Sequence, residues 1–203
     1  MTGTLMQLST LPSTGRLFYL IGPSGSGKDS IIEGLRVAIN TQQPLLVASR
    51  YITRPADCGG EKHIALSVAE FRLRKQRRLF ALEWHANGYD YGIGLEIIRW
   101  LDLGYNVLVN GSREYLPMAT HRFPEKLNSI VIDVDDNTLA TRLRLRGREC
   151  ERDIQQRLAR ARLLQANLPK DCWHLDNNGE LQHSIKRVLE YIEQVSRPSS
   201  SIK

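Results

Sequence analysis

The chain has 203 residues, 41% of them hydrophobic, enough for one well-buried core and too few for two independent domains. Its 28 Lys and Arg against 22 Asp and Glu leave a net charge of +6, which suits an anionic partner without choosing among nucleic acid, a membrane surface and a phosphorylated small molecule. Cys58, Cys150 and Cys172 show no CxxC or Cys/His spacing, which argues against a disulfide framework or structural zinc and fits a reducing cytoplasm; no apolar run approaches the roughly 18 residues that span a bilayer.

In chain order, residues 1–15 lack the basic start and apolar stretch of an export signal and read as a flexible leader. RLFYLI (16–21) is a short apolar run ending in Gly-Pro, and KDSIIEGLRVAI after it sets Ile31, Ile32, Leu35 and Ile39 at helical spacing: strand, loop, helix. PLLVAS (44–49), YNVLVN (105–110), LNSIVIDV (127–134) and CWHLD (172–176) read as four more buried strands, with amphipathic stretches between them. Apolar strands alternating with helices predict one α/β domain over 16–196, a three-layer α/β/α arrangement around a five-stranded, mostly parallel sheet whose ligands gather at the carboxyl ends of the strands.

Two stretches interrupt the alternation. From 50 to 93 the sequence turns polar, with a basic helix-like SVAEFRLRKQRR and strand-like alternation around Gly88; this is expected to be a small insertion holding a second substrate. At 142–157, Gly147 breaks a strong helix signal among several arginines, the pattern of a mobile lid. The Pro/Ser-rich end, 197–203, reads as a flexible tail.

Gly22, Pro23, Ser24, Gly25, Ser26, Gly27, Lys28, Asp29 and Ser30 spell GPSGSGKDS between the first strand and the first helix. Closely placed glycines let backbone N–H groups and the helix N-terminus wrap a polyphosphate, while Lys28 supplies a point charge for the β- and γ-phosphates. Asp29 stands where a hydroxyl usually follows the lysine; as a hard oxygen ligand it is the candidate for Mg²⁺, against the plainer reading that it only favours the helix N-terminus. Arg142 and Arg146 share a helix face, with Arg157 across the Gly147 break, so their guanidiniums can converge on a phosphoryl group in transfer; Arg144, Arg148, Arg152, Arg160 and Arg162 read as a solvated face.

GPSGSGK, SRYITRP, LEWHANGYDYG, RLRLRGR and IQQRL, in this order, resemble the guanylate kinase family over nearly the whole chain after the leader. The resemblance implies an ATP- and Mg²⁺-dependent kinase in which Arg54 binds the acceptor phosphate, Ser49 and Tyr91 lie near it, Glu83 sits beside the acceptor's polar groups, and Arg142, Arg146 and Arg157 form the lid. The departures bear on the acceptor. YGIG replaces YGTS, putting Ile93 in place of a hydroxyl, and LVNGS carries Asn110 and Ser112 where the family has acids. Of the family's G-E-x-x-G-x-D-Y segment, Gly60 and Glu61 remain without the tyrosine.

With these losses, the chain is similar to a branch of the family that phosphorylates ribose 1,5-bisphosphate to 5-phosphoribosyl 1-diphosphate in bacterial phosphonate use. That implies a small phosphorylated sugar as substrate, no nucleic-acid or membrane partner, and a cytoplasmic enzyme for which a homodimer is allowed but not required. Arg113 and the run Arg72 to Arg78 are candidates for the second acceptor phosphate, the run reading more readily as solvated surface. Trp84 and Phe80 are expected to pack the insertion, His63 and His85 to be hydrogen-bonding residues, and Asn177 to lie where a nucleotide base packs. The competing expectations are a guanylate kinase acting on GMP and a non-catalytic interaction module, the latter disfavoured by the intact phosphate loop.

Overall fold

A computed structural model describes residues 15–40, 43–55, 62–147 and 149–197. The leader up to residue 14, the tail from 198, and the expectations for Cys58, Gly60, Glu61 and Arg148 lie outside the described residues.

The chain runs β1 (Leu17–Ile21), α1 (Lys28–Ala38), β2 (Leu45–Val47), β3 (Arg50–Ile52), β4 (Ile64–Ala65), α2 (Val68–Gln76), β5 (Phe80–Ala86), β6 (Tyr89–Gly94), α3 (Glu96–Asp102), β7 (Asn106–Asn110), α4 (Leu116–Arg122), β8 (Leu127–Asp133), α5 (Asp136–Arg146), α6 (Glu151–Ala166), β9 (Trp173–Asp176) and α7 (Leu181–Ser196). The five apolar runs form one sheet in the order β2-β7-β1-β8-β9, and every pairing in it is parallel.

Period-2 alternation sorts β1 between two cores. Leu17, Tyr19 and Ile21 join Ile97 and Leu101 of α3 and Leu116 and Ala119 of α4 on one face. Phe18 and Leu20 join Ile31, Ile32 and Leu35 of α1 and Ile185, Val188 and Ile192 of α7 on the other. Helices on both faces explain why the strands are apolar throughout, and the three-layer arrangement is the expected one.

The interruption over 50–93 folds as a second sheet, β4-β3-β6-β5, in which β3 pairs antiparallel with β6 and parallel with β4. The β5–β6 hairpin turns at Asn87 (φ 50°) and Gly88 (φ 78°), a left-handed pair suited to a two-residue turn, and carries a bulge at Ala81. The sheet's two faces differ. Leu82, Trp84, Tyr91 and Ile93 turn toward the first core; Phe80 and Tyr51 turn to α2, where the Phe80 ring stacks on Phe71 at 4.6 Å. Helices α5 and α6 pack through Leu139, Ala140, Leu143, Ile154, Leu158 and Ala161, with Gly147 ending α5 in the left-handed region.

Candidate active site

The β1–α1 turn carries the phosphate cradle. Gly25 and Gly27 have φ of 94° and 92°, a region costly for other residues, and both are closely packed. A Cβ at Gly25 would lie 2.9 Å from Leu139 Cδ1, and one at Gly27 would lie 2.6 Å from Asn177 Nδ2. Lys28 Nζ donates to the Gly22 and Pro23 carbonyls, both at 2.8 Å, so its charge lies along the loop. Ser26 Oγ is buried and has no hydrogen-bond partner among the described residues.

Asn177, just beyond β9, is almost fully buried. Its amide donates to the Ser26 carbonyl at 2.6 Å, its side-chain oxygen accepts from Ser184 Oγ at 2.7 Å, and its backbone N–H donates to the Asp133 carbonyl at 2.9 Å. It therefore ties the loop to β8 and α7, a bracing role that its position after the fifth strand did not disclose. Arg142 reinforces it, donating through Nη1 to the Ser26 carbonyl (3.3 Å) and through Nη2 to that of Asn177 (2.9 Å).

The other two lid arginines lie apart. Arg146 lines an open hollow of about 720 Å³ with Asp29, Ser30, Glu33 and Lys62. Arg157 pairs with Glu149 at 3.1 Å, a carboxylate whose second oxygen is buried without a hydrogen-bond partner among the described residues. Arg144 pairs across the Gly147 break with Glu151 at 2.8 Å; with Gln155 it holds that carboxyl down to about 2, so Arg144 belongs to the outer surface as expected. Asp29 opens α1 and accepts from Asn110 Nδ2 at 3.3 Å. Among the described residues no three His, Cys, Asp or Glu side chains gather as a metal cage. A lone carboxylate beside a phosphate loop still fits Mg²⁺, which takes one or two carboxylates with substrate phosphates and water.

On the second-substrate side, the inner face of the insertion sheet meets the loop after β7 through an aromatic stack. Trp84 and Tyr91 stack nearly parallel at 5.4 Å, and Tyr115 continues the stack at 5.8 Å from Trp84. The Tyr19 hydroxyl accepts from the Ser112 N–H at 3.0 Å, and burial pushes its pKa far above the usual tyrosine range. Arg54 follows β3; its carbonyl is 2.9 Å from His63 Nε2, and its own Nε is buried without a hydrogen-bond partner among the described residues. Ser49 lies partly buried in the link between β2 and β3.

Glu83 departs from expectation. It sits opposite Gly92 in the hairpin, out of phase with Trp84 and Tyr91, and its carboxylate meets Lys75 of α2 at 2.9 Å. The hairpin register thus turns it to the α2 face, away from the aromatic stack. Ile93 is fully buried in the first core, on the same face of β6 as Tyr91. Trp84 and Phe80 both pack as expected, Trp84 against the first core and the Tyr91 and Tyr115 rings, Phe80 against Phe71. His85 bonds Asp90 at 2.8 Å.

Of the second-phosphate candidates, Arg113 donates to the Ala161 carbonyl at 3.2 Å, with its pKa lowered by burial and by Arg160. Arg74 and Lys75 of the basic run lie with α2, where Arg74 covers the Tyr51 ring at 5.3 Å. The residue that sequence reasoning passed over is Arg50, whose guanidinium lies 5.4 Å from the Tyr91 ring centre. The sequence carried little signal for it, because β3 has only three residues and it is the pairing with Ile93 that places Arg50 on the inner face.

No protein-family model matches the chain. Among curated proteins it is 50% identical over 177 residues to ribose 1,5-bisphosphate phosphokinase PhnN of Yersinia pestis, covering 87% of this chain and 91% of the relative. It is 50% identical over 170 residues to the Pectobacterium parmentieri protein of that name (84% and 89%), and 49% identical over 166 residues to that of Desulfomicrobium baculatum (82% and 88%). Among solved structures, guanylate kinase from Anaplasma phagocytophilum superposes with a TM-score of 0.69 at 16% identity, covering 93% of this chain and 90% of the other, which establishes the shared fold. The chain belongs to the ribose 1,5-bisphosphate phosphokinase PhnN family, built on the guanylate kinase fold.

Proposed function

We propose that this chain transfers the γ-phosphoryl group of ATP to ribose 1,5-bisphosphate, giving 5-phosphoribosyl 1-diphosphate and ADP. The observation that carries the reading is the pairing of a phosphate cradle around Lys28 with an insertion sheet on which Arg50 covers the Tyr91 ring and Arg54 has a buried Nε without a hydrogen-bond partner among the described residues. An oxygen of the 1-phosphate forms the new P–O bond as the bond from the γ-phosphorus to the β-bridging oxygen breaks. That oxygen is already ionised at neutral pH, so no general base is needed.

Lys28 swings from the Gly22 and Pro23 carbonyls to the β- and γ-phosphates, and Arg54 anchors the accepting phosphate. Arg146 and Arg157 close on the equatorial oxygens, Arg157 leaving Glu149, while Arg142 stays on the loop it braces. Asp29, with Ser30 next in sequence, would hold Mg²⁺, which when bound offsets charge on the β- and γ-phosphates. The inferred place of action is the cytoplasm, in keeping with free thiols at Cys150 and Cys172; among the described residues no helix is long and apolar enough to cross a membrane.

The test offers purified protein ATP with ribose 1,5-bisphosphate or with GMP and follows each product. Turnover of the sugar that falls at least about hundredfold in Lys28→Ala is expected. Fast conversion of GMP with none of the sugar would reverse the assignment in favour of guanylate kinase. ADP release from neither acceptor would favour a non-catalytic module.

A further inference from the structure

Ribose 1,5-bisphosphate carries a second phosphate, on C5, at the far end of the sugar from the bond that forms. Something in the acceptor site must meet that dianion, and the faces of the insertion sheet decide what. Lys75 and Arg74 lie on the α2 face with Glu83 and Tyr51, and Arg113 is turned to α6. Arg50 lies on the other face. It is paired in register with Ile93, which is fully buried beside Tyr19 and Val109 in the first core, and its guanidinium covers the Tyr91 ring. From there it reaches toward the Tyr19 hydroxyl, where its charge counters part of the upward push that burial gives that group.

Arg50 is therefore a partly buried cation on the aromatic face of the insertion sheet, four residues before Arg54 in the chain. The chain bends at Thr53 and Arg54, so the two Cα atoms lie closer than the roughly 13 Å of a fully extended segment, a separation on the scale of a sugar with a phosphate at each end. The guanidinium fork suits such a partner, because its parallel N–H groups match phosphate oxygens, and stacking on Tyr91 orients its plane before the ligand arrives.

We infer that Arg50 binds the second phosphate of the acceptor and is the residue that selects a bisphosphorylated sugar. The inference rests on the proposed reaction, so the experiment separates the two. Dissociation constants for ribose 1,5-bisphosphate and ribose 1-phosphate are measured without ATP on the wild type, Arg50→Met and Arg50→Lys, and KM values for ATP and the bisphosphate are measured in parallel. A charge-assisted contact of about 1.5–3 kcal/mol corresponds to a loss of roughly tenfold to a hundredfold. That loss is expected for the bisphosphate in Arg50→Met, with ribose 1-phosphate and the KM for ATP changed less than about twofold; Arg50→Lys, which keeps the charge and loses the fork, should fall between.

Equal weakening of both sugars in Arg50→Met would mean that Arg50 only packs on Tyr91, and no weakening of either would remove it from the site. If Arg50→Met does not fold, Arg50→Lys decides alone: a lost preference for the bisphosphate supports the assignment and an unchanged preference overturns it. A wild type that binds ribose 1-phosphate and the bisphosphate equally also overturns the assignment. One that fails to phosphorylate the bisphosphate at all overturns the reaction first and the role of Arg50 with it.

Discussion

Replacing Asn177 by Ala tests whether the phosphate loop is held in shape from outside itself. The side chain is almost fully buried and makes two hydrogen bonds, to the Ser26 carbonyl at 2.6 Å and from Ser184 Oγ at 2.7 Å. The Ser184 hydroxyl is itself buried, so truncation strands it, while the Ser26 carbonyl keeps only the longer contact from Arg142 at 3.3 Å. Leaving the buried Ser184 hydroxyl unmet costs about 1–3 kcal/mol and the partly met Ser26 carbonyl adds about 1 kcal/mol, so the loss comes to roughly 2–4 kcal/mol. For a domain of this size that is a fall in Tm of roughly 4–16 °C, read by differential scanning fluorimetry. The KM for ATP should rise as well, because the carbonyl released belongs to the cradle. Asn178→Ala is the comparison: its side chain bonds the Asp135 N–H and Asp176 but is exposed, so water can replace both contacts and the loss should stay within about 1 kcal/mol with the KM for ATP unchanged. A Tm within a degree of wild type for Asn177→Ala, with an unchanged KM for ATP, would refute the bracing argument.

Two further outcomes follow from the geometry. Glu83→Gln should leave the KM for the sugar acceptor within about twofold and cost no more than about 1 kcal/mol, since Glu83 pairs with Lys75 at the surface on the α2 face; a large rise in that KM would return Glu83 to the acceptor site. The Glu151 carboxyl, held down to about 2 by Arg144 and Gln155, binds its proton less readily folded than unfolded, so its contribution is present above the ordinary carboxyl range near 4.5 and is lost as pH falls toward about 2. Thermal melts between pH 5 and pH 3 should therefore show Glu151→Gln losing less stability on acidification than the wild type, and parallel losses would exclude the pair as a source of acid sensitivity.

The main sheet was legible because β1, β7 and β8 are apolar runs bounded by turn residues, and burial on both faces writes itself into composition. The second sheet was not. β3 has three residues and β4 only two, too short for alternation to register, and they exist through pairing with β6 and with each other. The cradle was legible residue by residue, since φ near +90° at Gly25 and Gly27 leaves little choice of amino acid. What holds the cradle was less so, because Asn177 acts through contacts formed 150 residues further along the chain. Glu83 shows the limit of matching a motif. A motif places a residue in the chain, but a side chain's face depends on hairpin register, fixed here by the Asn87–Gly88 turn and the bulge at Ala81. Arg50 was missed for the mirror-image reason: it adjoins the segment that drew notice, and only the pairing with Ile93 turns it inward.

The close packing of Gly25 against Leu139 and Leu143 makes the floor of the donor site and the root of α5 a single mechanical piece, riveted again where Arg142 grips the Ser26 carbonyl. Because α6 shares its apolar contacts with that same root, a substitution in the α5–α6 core would be felt at the loop as well. Gly147 lies at the opposite end of α5 from that joint, where an added Cβ would find nothing within 4 Å, so the far end of the piece can vary in side-chain bulk without touching the cradle.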